Sequence, residues 1–437
     1  MHQNEFPKVE RAFLVGAEVR GTNSVISLQD SLSELALLAE TAGMEVVGQT
    51  TQTLNSIVPA TFIGSGKLEE VQAVIKELEA DAVIFDDELS PRHQREISKV
   101  FGNDIKLLDR SALILDIFAQ HAKTKEGSLQ VELAQYEYRL PRLTRQWTHL
   151  ARQAGGSAAG SGVGGVGLRG PGETQLEVDR REIGRKIDRI KRDLEGVRQH
   201  RSQHRQQRRK TGIPVIALVG YTNAGKSTLL NHLTNASVYA QDQLFATLDP
   251  TTRRTALPSG RQVLLTDTVG FIQKLPTTLI AAFRATLEET QEASMLLHMV
   301  DISHPNVVAH IDVVEDTLAE IDVPSMPRIL VWNKIDRWAG DTPPQFPDSD
   351  MYREQVCISA RTGEGVPELL EAIERVFAQE LVRITLQIPF ERGDLVSRLY
   401  RIGRVLTQES SAEGMILDVE IPKSAQDRYQ DFAYENT

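Results

Sequence analysis

Up to about residue 120 the chain alternates two kinds of apolar pattern. Short continuous runs stand at 12–15, 45–47, 82–85 and 105–108, and amphipathic stretches of helical length at 32–40, 68–78 and 91–100. Strand and helix lengths in alternation predict a small α/β domain with a largely parallel sheet, residues 1–122. The period then changes. Leu129, Leu133, Tyr136, Leu140, Leu143, Trp147 and Leu150 recur at spacings of four and three, and Leu176, Ile183, Ile187, Ile190, Leu194 and Val197 form a second stripe. Each stripe is narrow, so the simplest arrangement over residues 123–211 is an antiparallel helical hairpin in which one stripe covers the other. Pro141 should kink or end the first helix. The connection, residues 155–172, is glycine at nine of 18 positions. It reads either as a flexible linker or as a tip that orders against a partner, with Arg169 as a phosphate-directed charge. From 212 to 380 the pattern is strand, glycine turn, helix, repeated. Residues 381–437 alternate apolar and polar positions around a helix at 394–402, predicting a small α+β domain.

The third segment carries the chemistry. An apolar run, Val215 to Val219, leads into Gly220, Tyr221, Thr222, Asn223, Ala224, Gly225, Lys226 and Ser227, with Thr228 opening a helix. This is GxxxxGK[ST] in its strand-loop-helix setting: loop amides cradle phosphate, the lysine reaches the terminal phosphates and the serine hydroxyl ligates Mg²⁺. Residues 64–67, Gly-Ser-Gly-Lys, lack that spacing and read as a turn into a helix. Another apolar strand ends at Asp267, an aspartate placed to hold Mg²⁺ through water, with Gly270 three residues on to present its amide to a γ-phosphate. A third strand runs into Asn333, Lys334 and Asp336. Guanine offers N1–H and the N2 amine as adjacent donors that one carboxylate accepts together, and adenine has no such pair, so Asp336 selects guanine. Asn333 is expected to brace the phosphate loop, Lys334 to lie over the base, and Ser359 with Ala360 to offer an amide to guanine O6. Between the first two motifs lies a switch segment with Phe245 and three threonines, Thr247, Thr251 and Thr252, all eligible by position to close on Mg²⁺ and γ-phosphate. The series predicts a P-loop GTPase domain that hydrolyses GTP to GDP with Mg²⁺, so the fold class is α/β: that domain with an N-terminal α/β domain, a helical-hairpin linker and a small α+β C-terminal domain.

Composition refines this reading. With 437 residues, 41% hydrophobic and 25% charged, the chain has core enough for several domains. Its one cysteine, Cys357, cannot make an internal disulfide, and no run approaches the roughly 20 apolar residues that span a bilayer. A cytoplasmic location follows as the expectation. The net charge of -11 argues against bulk polyanion binding, yet between Arg180 and Lys210 stand 13 Lys/Arg against four acids. A segregated basic helix suits RNA phosphates; the plainer alternative is a solvated face. Its stripe lacks aromatic anchors, so membrane association, if any, is expected to be peripheral. A separate activity of the N-terminal domain would rest only on residues 64–67 and the acidic pair Asp86-Asp87. A GTP-gated protein that acts on a protein partner or membrane surface, with hydrolysis as a timer, is the competing functional reading.

The motifs at 220–227, 245–253, 267–272 and 333–336, with the glycine-rich 165–174 in front of a basic helix, resemble the HflX-type GTPase family of the Obg-HflX superfamily over nearly the whole chain. The resemblance implies binding to the large ribosomal subunit and its RNA, and GTP-dependent dissociation or rescue of stalled ribosomes, particularly under stress. It places the switch threonine at Thr247, making Ser227, Thr247 and Asp267 the metal ligands and Lys226, Thr247, Gly270 and Asn223 the catalytic groups. A monomer is expected. Where many small GTPases carry a glutamine that orients water, this chain has Phe271, so intrinsic hydrolysis should be slow. Asn223 resembles the asparagine that in related GTPases helps hold K⁺ against the phosphates; the alternative is a loop-stabilising hydrogen bonder.

Overall fold

The computed structural model describes residues 9–21, 25–143, 175–211, 213–234, 244–245, 247–248, 250–276 and 290–434. The glycine-rich connection 155–172, with Arg169, and the first-stripe residues Trp147 and Leu150 lie outside them. The chain divides into two units, the first comprising Met1–Val197, Asp242–Asp249 and Ile272–Arg284.

The first unit is built on β1 (Arg11–Val19), β2 (Glu45–Leu54), β3 (Ala82–Phe85) and β4 (Lys106–Asp109), all parallel in the order β2-β1-β3-β4. Every residue of β3 is buried, as a central strand covered on both faces requires. The crossovers are α1 (Leu28–Thr41), α2 (Ser65–Glu77) and α3 (Pro91–Phe101), and α4 (Arg110–His121) follows β4. Their starts are written locally. Ser27 accepts from the Asp30 amide, Ser90 and His93 form a capping box ahead of Pro91, and Asp109 accepts from the Ala112 amide. Gly64 is the N-cap of α2 and Lys67 pairs with Glu70, so residues 64–67 are the helix entry that spacing predicted.

Strand order reverses between β1 and β3, and the crevice at their carboxyl ends is where such a sheet receives ligands. Here the chain's own side chains occupy it. Asp86, directly after β3 and fully buried, meets Arg110 Nη2 at 2.6 Å, the Ser31 hydroxyl at 2.7 Å and Lys274 Nζ at 2.6 Å. Lys274 also reaches Asp87 at 2.6 Å, Arg110 also pairs with Glu34, and Gln273 donates to Ser31 Oγ at 3.1 Å. Burial alone would raise the Asp86 carboxyl, but Arg110 and Lys274 outweigh it and hold it below the usual carboxylate range. The acidic pair is therefore half of an internal ion network, which removes its support for a separate activity.

Helix α5 (Lys125–Arg139) stops before Pro141, which sits in a single 3-10 turn, Leu140–Arg142. The long α6 (Gln175–Thr211) carries the second stripe. Leu133 is buried with Ile187, Ile190 and Leu194, and Leu129, Tyr136, Leu140 and Ile183 pack against them, so the two stripes do cover each other. A Lys191–Glu137 pair at 2.9 Å flanks the seam.

The second unit comprises Arg198–Gln241, Pro250–Phe271 and Ala285–Thr437. Its main sheet contains β5 (Val215–Gly220), β6 (Thr251–Ala256), β7 (Gln262–Asp267), β8 (Met295–Asp301), β9 (Arg328–Asn333) and β10 (Glu354–Cys357) in the order β10-β9-β8-β5-β7-β6. All pairings are parallel except β6 with β7. Helices α7 (Lys226–Thr234), α8 (Val307–Glu320) and α9 (Val366–Gln379) accompany it, and Leu229, Leu230, Leu369 and Ile373 join β5, β7, β8 and β9 residues in its core. A separate antiparallel sheet, β11 (Leu381–Ile388), β12 (Arg404–Ser410) and β13 (Met415–Pro422), runs in the order β11-β13-β12. Its core includes Leu395, Val396 and Leu399 of α10 (Gly393–Ile402), close to the helix expected at 394–402.

Candidate nucleotide-binding site

Because β5, β8, β9, β10 and β7 are parallel, their carboxyl ends share one edge of the sheet, and the predicted motifs other than the switch segment hang from them. Gly220 ends β5, Asp267 ends β7, Asn333 ends β9, and Ser359 lies just past β10. Sequence separations of more than 100 residues thus collapse to hydrogen-bond distances.

The loop from Gly220 curls through Asn223 at φ +57° and Gly225 at φ +95° before α7 begins. A Cβ on Gly225 would lie 2.1 Å from Asn333 Nδ2, so only glycine fits. Asn333 Nδ2 donates to Ala224 O at 2.7 Å, and its Oδ1 accepts from the Ala360 amide at 2.9 Å. One buried side chain therefore ties the phosphate loop to both base loops. The first amides of α7 have no intrahelical acceptor and lie at the positive end of its dipole, a setting that favours phosphate.

Lys226 is buried, and its Nζ donates to Gly220 O at 3.0 Å and Tyr221 O at 2.8 Å. Burial pushes its ammonium down to about 8, with Asp267 opposing the shift and Lys334 adding to it. Ser227 Oγ donates to Asp267 Oδ2 at 2.7 Å. This hydroxyl and carboxylate are hard oxygen donors and fit Mg²⁺, which takes one or two protein oxygens together with phosphate and water. Among the described residues no group of three or more His, Cys, Asp or Glu forms a cage that could hold a metal by itself.

Gly270 lies against the phosphate loop, where a Cβ would stand 2.9 Å from Thr222 Cα and 3.1 Å from Lys226 Nζ. Phe271 then pairs with that loop: its amide donates to Gly220 O at 3.1 Å and its carbonyl accepts from Thr222 N at 2.7 Å. The Phe271 ring is buried and has no polar atom to orient water.

On the base side, Ser359 Oγ donates to Asp336 Oδ1 at 2.7 Å, fixing the carboxylate, while the Ser359 amide donates to Glu364 O. Lys334, at φ +67°, pairs with Asp301 at 2.7 Å. Burial would raise the Asp301 carboxyl, but Lys334 and Ser303 outweigh it and hold it low. Tyr221 stacks on His310, ring centroids 3.8 Å apart and planes 3° from parallel. Sequence reasoning did not find Asp301 or His310, which lie outside every motif and gain meaning only from what β8 and α8 place beside them.

Phe245 and Thr247 belong to the first unit. Phe245, at φ +57°, turns its carbonyl to His121 Nδ1 at 2.9 Å and sets its ring on Phe118 at 4.5 Å; Thr247 is buried. Thr251 and Thr252 are built into β6, where the Thr252 hydroxyl meets that of Thr266 at 2.9 Å.

Known protein families match successive stretches of the chain. The chain matches the families described as GTP-binding GTPase N-terminal (residues 29–119), GTP-binding GTPase Middle Region (121–208), 50S ribosome-binding GTPase (215–334) and HflX C-terminal domain (349–430). It is 45% identical to the GTPase HflX of Caldanaerobacter subterraneus subsp. tengcongensis over 404 residues, 92% of this chain and 90% of that one. To the GTPase HflX of Escherichia coli it is 43% identical over 394 residues, 90% of each chain. A crystal structure of a GTP-binding protein from Sulfolobus solfataricus in complex with GDP aligns at 24% identity and a TM-score of 0.43, over 85% of this chain and 99% of that one. With 43–45% identity to these two HflX GTPases over at least 90% of its length, the chain belongs to the HflX family of GTPases.

Proposed function

We propose that this GTPase binds the large ribosomal subunit through its RNA and uses GTP binding and hydrolysis to dissociate or rescue stalled ribosomes in the cytoplasm under stress. The observation that carries the reading is the outer face of α6. Arg180, Arg181, Arg185, Arg189 and Arg192 are exposed there, with Lys186 and Lys191 at the border of the seam, while Ile187, Ile190 and Leu194 point inward. Clustered Lys/Arg on one helix face is the footprint RNA phosphates reward, and the match to a 50S ribosome-binding GTPase description supports the same partner.

In this reading Gly220–Thr228 hold the phosphates, with Lys226 on the terminal ones, and Asp336 reads guanine beneath Lys334 and beside Ala360. Ser227, Thr247 and Asp267 hold Mg²⁺, which would supply charge stabilisation at the phosphoryl oxygens. The Gly270 amide meets the γ-phosphate, and Asn223 helps hold K⁺ there; equal rates in K⁺ and Na⁺ buffers would remove that last role. Phe271 leaves the attacking water without a side-chain partner, so the ribosome supplies the missing organisation.

The test is GTP hydrolysis by the full chain with and without isolated large subunits, with ATP as the base control and Lys226→Ala as the inactive control. Stimulation of tenfold or more, about 1.4 kcal/mol of barrier, is expected. Slow hydrolysis indifferent to ribosomes would transfer the reading to a GTP-gated protein acting on another partner.

A further inference from the structure

We propose that the segment from Asp301 to His310 is a brace between the base-reading loop and the phosphate loop, with Asp301 and His310 as positioning residues for bound guanine nucleotide. The proposal rests on the assignment of the phosphate loop, Lys334 and Asp336 given above.

At one end of the brace, Asp301 closes β8 and is oriented by its own turn, since Oδ1 accepts from the Ser303 amide at 3.0 Å and the Ser303 hydroxyl at 2.6 Å. The other oxygen faces Lys334 Nζ at 2.7 Å. Lys334 occupies the left-handed backbone region at φ +67°, which L-residues adopt only when their surroundings fix them. The ion pair sets where its ammonium goes, and therefore where the four-carbon stem assigned to cover the base must run.

At the other end, His310 in the first turns of α8 stacks on Tyr221, and both rings are buried. The phosphate-loop backbone on both sides of that ring is held by hydrogen bonds. Tyr221 O receives Lys226 Nζ, and the neighbouring Gly220 O and Thr222 N both bond to Phe271. Fixing the ring therefore fixes the carbonyl that aims the phosphate-directed ammonium. Between the two ends, the His304 ring lies 4.3 Å from that of His310, its Nδ1 accepts from the Asn306 amide, and the His310 amide donates to Asn306 O. A single stretch of ten residues thus holds Lys334 at one end and Tyr221 at the other. Neither Asp301 nor His310 is assigned contact with nucleotide; they act through Lys334 and Lys226.

The experiment compares Asp301→Asn, His310→Ala and His310→Phe in the full chain, measuring Kd for a fluorescent GDP, kcat and KM for GTP, and the melting temperature with and without GDP. Asp301→Asn removes the charge that holds Lys334 and should weaken GDP binding about tenfold, through faster release, with kcat retained. His310→Ala should lower kcat/KM about tenfold, and His310→Phe, which preserves a stacked ring, should restore it to within about twofold of the parent. If Asp301→Asn and His310→Ala only lower the melting temperature of the free protein and leave Kd and kcat/KM at parental values, the residues serve stability alone and the proposal is wrong. It is equally wrong if His310→Phe is as impaired as His310→Ala. Asp336→Asn is the independent control: it should exchange GTP for XTP preference, and its failure to do so would overturn the base assignment rather than the brace.

Discussion

At the scale of single residues, Lys226 combines two demands that conflict. In the role proposed for it, it must be enclosed to meet phosphate without competing water, and enclosure disfavours its charge, lowering the ammonium to about 8. On that proposed role, phosphate restores the charge when nucleotide binds. Proton linkage then fixes the sign: below about pH 8 the free protein already carries the ammonium, and above it binding must take up a proton. GDP affinity is therefore expected to be flat from pH 6.5 to 7.5 and to fall above pH 8, approaching tenfold per unit. Calorimetry in buffers of different ionisation enthalpy should register the proton uptake at pH 9 and little at pH 7. Asn333 is a simpler case, because its two amide atoms join Ala224 to Ala360 and no other side chain offers a donor and an acceptor in that geometry. Its bracing of the phosphate loop could be expected from position alone. The pairing of Lys334 with Asp301 could not, since 33 residues and a strand crossing separate the two.

At the scale of elements, the N-terminal sheet depends on charges buried at the end of β3. Arg110 and Asp86 are fully enclosed, and Lys274 is about one-third exposed. Removing the guanidinium takes the buried cation from Asp86 and Glu34 and leaves Asp86 only the partly exposed Lys274, so Arg110→Met should destabilise the first unit by about 3 kcal/mol. Lys274→Met, at a pair partly screened by water, should cost about 1 kcal/mol. Hydrogen exchange of β1 and β3 amides in urea reads both, and equal effects would contradict the burial argument. The Asp86 carboxyl is held below its ordinary value, so its contribution is complete above about pH 4 and is lost as pH falls through the lowered value. Periodicity foretold β3, α3 and the described parts of the two hairpin stripes, which stand where apolar spacing put them, but not α4, most of whose residues are buried and so carry no clean stripe. It said nothing of Lys274, because an isolated lysine after DTVGFIQ carries no period and no motif.

At the scale of the whole molecule, segments flanking the nucleotide machinery are claimed by the first unit. Phe245, two residues before Thr247, rests on Phe118 and His121, while Gln273 and Lys274, just after Gly270, reach Ser31 and Asp86. The basic face of α6 belongs largely to the same unit. If that face meets ribosomal RNA, binding should weaken steeply with salt. Changing Arg185, Arg189 and Arg192 to Glu should reduce the slope of log K against log salt by roughly one for each lost phosphate contact. Pelleting with large subunits across a salt series measures this, and an unchanged slope would make α6 a merely solvated helix.

The amino-acid sequence alone determined most of the elements (though not α4 or the antiparallel β6), the order of the nucleotide motifs and the choice of guanine, because each depends on residues within a few positions of one another or on the hydrogen-bonding pattern of a base. Tertiary structure alone decided which distant groups share a site: Asp301 with Lys334, His310 with Tyr221, and Lys274 with Asp86. Such partners are chosen by strand order and crossover direction, which bring residues far apart in sequence to the same sheet edge and leave no local trace in the chain.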